Sequence, residues 1–183
     1  MHTDMSGSGG PVQAQSPIWL RIGVFLALYA LLHWAYQSLR SSSLDPWFIH
    51  SLTVAPAAAL IDWAAPADAV RAIGPRLVWP DGRLTLLAGC DGFEVMSLFV
   101  AAILACDVAP RRAIVALVGG CLVIWALNQL RIAALYGAFR YQREAFDALH
   151  TLGGPLLLIA ATALIYRWAL GGSSSAPQRQ PLS

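Results

Sequence analysis

Three residues of this chain, Cys90, Arg131 and His150, carry the groups that covalent acyl transfer requires: a nucleophile, a fixed cation and a proton carrier. Cys90 stands between Gly89 and Gly92 in LLAGCDGFEVMSLFVAAILA, just ahead of an apolar run. A thiol at a helix N-terminus feels the positive end of the helix dipole, which favours the thiolate. In this scheme Cys90 attacks a peptide carbonyl, and His150 takes the thiol proton or protonates the leaving amine. Arg131, permanently charged, stabilises the thiolate or the tetrahedral oxyanion. Glu94, one turn beyond Cys90, is spaced to pair with Arg131 or orient His150. Asn128, one turn before Arg131, can position a carbonyl or brace the guanidinium. The competing reading makes Glu94, Asn128 and Arg131 a structural polar network between helices, with Cys90 a small apolar residue filling a bend.

The elements that must position these residues are membrane helices. The chain of 183 residues is 57% hydrophobic and only 12% charged, with a mean hydropathy of +0.59, far from the roughly 25% charged residues of soluble domains. All 12 basic residues are arginine, and against 10 acids they leave a net charge of +2, which gives no footprint for nucleic acid. Cys90, Cys106 and Cys121 contain no CxxC and are odd in number, so neither a disulfide framework nor a dithiol motif is indicated. Paired Cys/His ligand spacing is missing as well, and no metal or cofactor is expected. Cys106 and Cys121 read as packing residues, and Gly119–Gly120 as a close helix contact.

Residues 1–16 are polar and rich in Gly and Ser, and read as a disordered tail. Pro17 to Leu39 is long enough to cross about 30 Å of hydrocarbon, with Trp19, Trp34 and Tyr36 suited to interfaces. A cleaved signal peptide is the rival for this run, but no basic region precedes it and no clean small-x-small site follows. His33 within it reads as a packed or interfacial histidine. Asp45-Pro46 opens a helix that Pro56 interrupts, and the apolar run through residues 47–61 is short for a span, so it is expected to lie in the membrane interface. Two short runs flanking Pro80-Asp81-Gly82 predict a small hairpin over Arg76–Leu87, outside the hydrocarbon, as a lid or docking edge before Cys90. Further helices are expected over Phe93–Cys106, Ala113–Phe139 and Leu149–Leu170, the last two joined by a polar loop with Arg140, Arg143, Glu144 and Asp147. Residues 171–183 form a second polar tail. The expected fold is an all-α integral membrane protein of about four transmembrane helices, with an interfacial helix and an extracytoplasmic β-hairpin, and residues 17–170 as one domain.

Counting along the helices from charged markers at the far face brings the three chemical residues to one height. Cys90 lies 17 residues before Asp107, Arg131 lies 19 after Arg112, and His150 lies 17 before Arg167. At about 1.5 Å per residue these are roughly 26, 28 and 26 Å. Successive antiparallel helices with short connections are neighbours, so the three side chains are expected to converge near one membrane surface.

GCDGFE around Cys90, NQLRI from Asn128 to Ile132 and DALH ending at His150, in this order and at these spacings, resemble the exosortase/archaeosortase family of membrane transpeptidases over roughly residues 40 to 170. The resemblance implies Cys90, Arg131 and His150 as catalytic residues and a multi-pass protein of the cell (inner) membrane with its site on the extracytoplasmic face. The implied partners are the lipid bilayer and exported proteins bearing a C-terminal sorting signal, made of a short motif, a transmembrane helix and a basic tail. Asp91 stands where Ser, Thr or Asn usually follows the cysteine, and the extra N-terminal helices of the larger members are missing, so the chain looks like a compact member. The alternative is a non-enzymatic membrane scaffold or assembly factor of an export or envelope polysaccharide system.

Overall fold

The computed structural model describes residues 17–86 and 89–171; the tails expected at 1–16 and 171–183 lie outside that range except for Gly171. Helix α1 (Ile18–Arg40) leads to a second helical stretch, α2 (Asp45–Ile49), a π-helical turn (His50–Val54) and α3 (Ala55–Ala64). A 3₁₀ turn (Pro66–Asp68) precedes strands β1 (Arg71–Ile73), β2 (Arg76–Trp79) and β3 (Gly82–Thr85). The chain ends in α4 (Phe93–Ala105), α5 (Pro110–Tyr141), α6 (Arg143–Ala148), a second π-helical turn (Leu149–Gly153) and α7 (Gly154–Leu170).

Among the described residues, three helical stretches are long and apolar enough to cross a membrane: Ile18–Arg40, Pro110–Tyr141 and Arg143–Leu170. The fourth expected span, α4, has 13 residues, about 20 Å of helix, less than the roughly 30 Å of a hydrocarbon core. The fold is mostly helical, as expected, with one small sheet. The hairpin of β2 and β3 forms as expected, with Trp79 opposite Gly82, but it belongs to a three-stranded antiparallel sheet in the order β1-β2-β3. β1 is only three residues long, too short to show an alternating pattern.

Prolines explain two further departures. The segment expected at the interface is longer in helix than its apolar run: 5, 5 and 10 residues run on from one another between Asp45 and Ala64. Proline has no N–H and its ring crowds the carbonyl four residues back. Ahead of Pro56 the helix widens, and the Ala55 N–H bonds the carbonyl of His50. The carbonyl of Leu52, which an ordinary residue 56 would satisfy, instead accepts from the Trp125 indole at 2.8 Å. Pro155 repeats the device, with the Gly154 N–H bonded to Leu149 O. Widening rather than breaking keeps Arg143 to Leu170 one continuous helix, so Arg143, Glu144 and Asp147 are helical rather than in a loop.

Two apolar cores result. One packs Phe99 and Ile103 of α4 against Ala116 and Ile124 of α5 and Ala169 of α7. Here Gly120 is required, because a Cβ would stand 2.4 Å from the Phe99 ring, whereas Gly119 faces open space. The other core joins Val54 and Ile61, the inner sheet face at Leu77 and Trp79, Ile132 and Tyr136 of α5, and Cys90. The end away from Cys90 is tied by Arg21 to Asp107, by Cys106 Sγ and Tyr166 Oη 3.0 Å apart, and by Arg112, which donates to the Trp168 carbonyl and lies over its ring.

Candidate active site

Cys90 is buried, 8% exposed, on the bend that enters α4. Gly92 caps the helix with φ +77°, and a Cβ there would also press on Asn128 at 3.0 Å. That contact shows how closely the bend lies on α5. Asn128 Nδ2 donates to the Cys90 carbonyl at 3.1 Å, so the amide braces the nucleophile's own backbone. Asp91 accepts from the Phe93 N–H at 3.2 Å and from the Tyr36 hydroxyl. Tyr36, the buried residue of α1, also stacks on Phe93 at 4.2 Å. The end of α1 therefore holds the cysteine bend in place.

Arg131 is one turn further along α5 and is 7% exposed. A Cβ on Gly154 would stand 2.4 Å from Arg131 Nε, so the arginine stem passes through a gap that a glycine keeps open. Its Nε is buried without a hydrogen-bond partner. An unpaired buried donor is costly, and an ionisable side chain within a membrane helix is a functional candidate. His150 precedes Gly154 within the second π-turn, and its Nδ1 is likewise buried without a partner. The ring stacks on Phe146 at 5.6 Å and 4°. Phe146 meets Phe139, and Phe139 meets Trp79 of β2, at 5.6 and 6.1 Å. A run of aromatic rings thus connects the sheet to the imidazole.

The structure brings Cys90 to Asn128, and Arg131 to the first turn of α7, four residues beyond His150. Glu94 is exposed and forms no ion pair with Arg131 or His150 among the described residues. Tyr36, Phe146 and Gly154 were not among the expected site residues. Tyr36 looked like an interfacial aromatic, whereas Gly153-Gly154-Pro155 next to His150 was a legible sign of close approach.

Beside the site, Asp68 accepts from the hydroxyls of Tyr141 at 2.6 Å and Tyr136 at 2.8 Å, and pairs with Arg140 at 3.4 Å. These bonds, led by that of Tyr141, hold its carboxyl below the ordinary value.

A multi-pass membrane protein with a buried thiol, a buried guanidinium and an imidazole at one end of its bundle is the class that fold and site define. The family model for the transmembrane exosortase matches residues 69–167, just over half of the chain. The chain belongs to that family. Comparison with curated proteins and with solved structures gave no match.

Proposed function

We propose that this chain is a cysteine transpeptidase or protease that cleaves the C-terminal sorting signals of exported proteins at the extracytoplasmic membrane surface. The observation that carries the reading is that the Cys90 bend rests on Asn128, one turn before Arg131, whose buried and unpartnered Nε lies against Gly154, four residues beyond His150. Cys90 Sγ adds to the scissile carbonyl while His150 accepts the thiol proton. Arg131 stabilises the oxyanion. The tetrahedral species collapses with loss of the amine, which takes the proton from His150 and leaves a thioester on Cys90. Water or an amine then resolves the thioester.

The test is processing of an exported protein carrying such a signal in cells expressing Cys90→Ala. Uncut precursor is expected to accumulate while the variant inserts normally, and mass spectrometry of the mature C-terminus from wild type separates hydrolysis from transfer. Normal processing by Cys90→Ala would replace this reading with a scaffold.

A further inference from the structure

The outer face of the sheet carries a charge that the fold itself does not use. Pairing places Arg71 opposite Val78 and Val78 opposite Arg83, while the next row is Ile73, Arg76 and Thr85. Side chains of directly paired residues share a face, so Arg71, Arg76 and Arg83 all project from the side opposite the buried Leu77 and Trp79. Arg71 and Arg83 are two strands apart, about 10 Å. Arg76 is diagonal to both, at about 7–8 Å.

All three arginines are exposed and none forms an ion pair among the described residues. Of the carboxylates on neighbouring elements, Asp68 and Asp81 both pair with Arg140, and Asp62, on α3, is exposed and pairs with none of the three. Like charges clustered on one sheet face are unfavourable unless an anion joins them. Guanidinium groups bind phosphate oxygens with paired N–H donors.

Apolar residues decide the kind of anion. Ile73, 59% exposed, and Val78 stand between the arginines. Trp63, 82% exposed, lies in the last turn of α3, the helix whose Ile61 packs against the inner sheet face. Tryptophan at such a site is a marker of the headgroup level, and an apolar surface studded with arginine suits lipid better than a soluble polyanion.

We propose that Arg71, Arg76 and Arg83 form a binding face for the phosphates of anionic lipid headgroups, with Ile73 and Val78 against the glycerol and upper acyl region. This face is separate from the Cys90 site and stands whether or not the chain is a peptidase.

The experiment uses the full chain purified in detergent and titrated with phosphatidylglycerol or phosphatidylcholine, reading bound lipid by native mass spectrometry and stability by thermal unfolding. Wild type is expected to retain phosphatidylglycerol at least tenfold over phosphatidylcholine and to be stabilised by it. Arg71→Gln/Arg76→Gln/Arg83→Gln should weaken that binding about a hundredfold, with unfolding in phosphatidylcholine unchanged. The single variants Arg71→Gln and Arg83→Gln give a graded loss that reads the same face should the triple variant not fold. Equal retention by wild type and the variants, or no preference over phosphatidylcholine, overturns the proposal. Stabilisation by inorganic phosphate or a polyglutamate peptide equal to that by phosphatidylglycerol overturns it in favour of a soluble anion.

Discussion

Arg131 can occupy its position because residue 154 has no side chain. A methyl there would meet Arg131 at Nε, Cδ and Cγ, at 2.4, 2.7 and 2.9 Å, and neither helix can yield without repacking. Gly154→Ala is therefore expected to destabilise by about 1–3 kcal/mol through overpacking and to abolish processing by displacing the guanidinium. Gly153→Ala comes nearest the flexible end of Leu149, at 3.1 Å, with the Ala148 carbonyl at an ordinary 3.8 Å, and should be close to neutral in both respects. Thermal unfolding in detergent and a cleavage assay on the two variants check this, and equal effects would remove the special role of Gly154. At this scale the chemically conspicuous residues were legible from the sequence. Cys90, Arg131 and His150 combine unusual type with unusual context. Their supports were not legible, because Phe146 and Tyr36 are ordinary aromatics until a fold sets Phe146 on the imidazole and Tyr36 on Asp91.

Elements were legible where periodicity was long and obscure where it was interrupted. α1 and α5 followed from apolar length, and the β2–β3 hairpin from Pro80-Asp81-Gly82. Pro56 looked like a break, yet there, as at Pro155, one turn widens and the helix continues. The Leu52 carbonyl left without a backbone donor explains the indole of Trp125. Trp125→Phe should cost about 0.5–1.5 kcal/mol by removing that bond. In a Pro56→Ala background the restored N–H can take the carbonyl, so the same change should cost less, and a double-mutant cycle measures the difference. Strictly additive costs would show that the indole bond is incidental. The Pro66–Asp68 turn is fastened to α5 differently, through a carboxylate. Because the Asp68 pKa is lowered by the Tyr141 and Tyr136 hydroxyls, its stabilisation is complete above the ordinary carboxylate range and is lost as pH falls through the folded value. Unfolding temperature should drop in acid for wild type, whereas Asp68→Asn should be weaker at neutral pH and lack that part of the drop. An identical acid profile for the two proteins would sever the link to Asp68.

For the whole molecule the contacts far from Cys90 fix how the two chain ends relate. Arg21 near the start of α1 meets Asp107 beyond the end of α4, and Arg112 at the start of α5 meets Trp168 at the end of α7. One level of the bundle thus holds the first turn of α1 and the last turn of α7, so both ends leave from the same side. Reporter fusions to residue 1 and to residue 183 are expected to give the same sign, and opposite signs would break the arrangement. Which side that is follows from the proposed reaction rather than from charge. Arg21, Arg111, Arg112 and Arg167 lie toward this end, while Arg40, Arg71, Arg76, Arg83, Arg140 and Arg143 lie toward the other. A bare count by the positive-inside tendency would turn the site toward the cytoplasm. That tendency counts arginines free to hold a loop back, and several of these have other work: Arg40 pairs with Asp45 at 2.8 Å, Arg140 with Asp68 and Asp81, and Arg143 lies over Phe139 at 4.8 Å. With the sheet arginines assigned to lipid phosphate, the excess at the site end has local uses that do not fix orientation. Cytoplasmic signals from both reporters would agree with cleavage of exported proteins; extracytoplasmic signals from both would place Cys90 in the wrong compartment for that reaction.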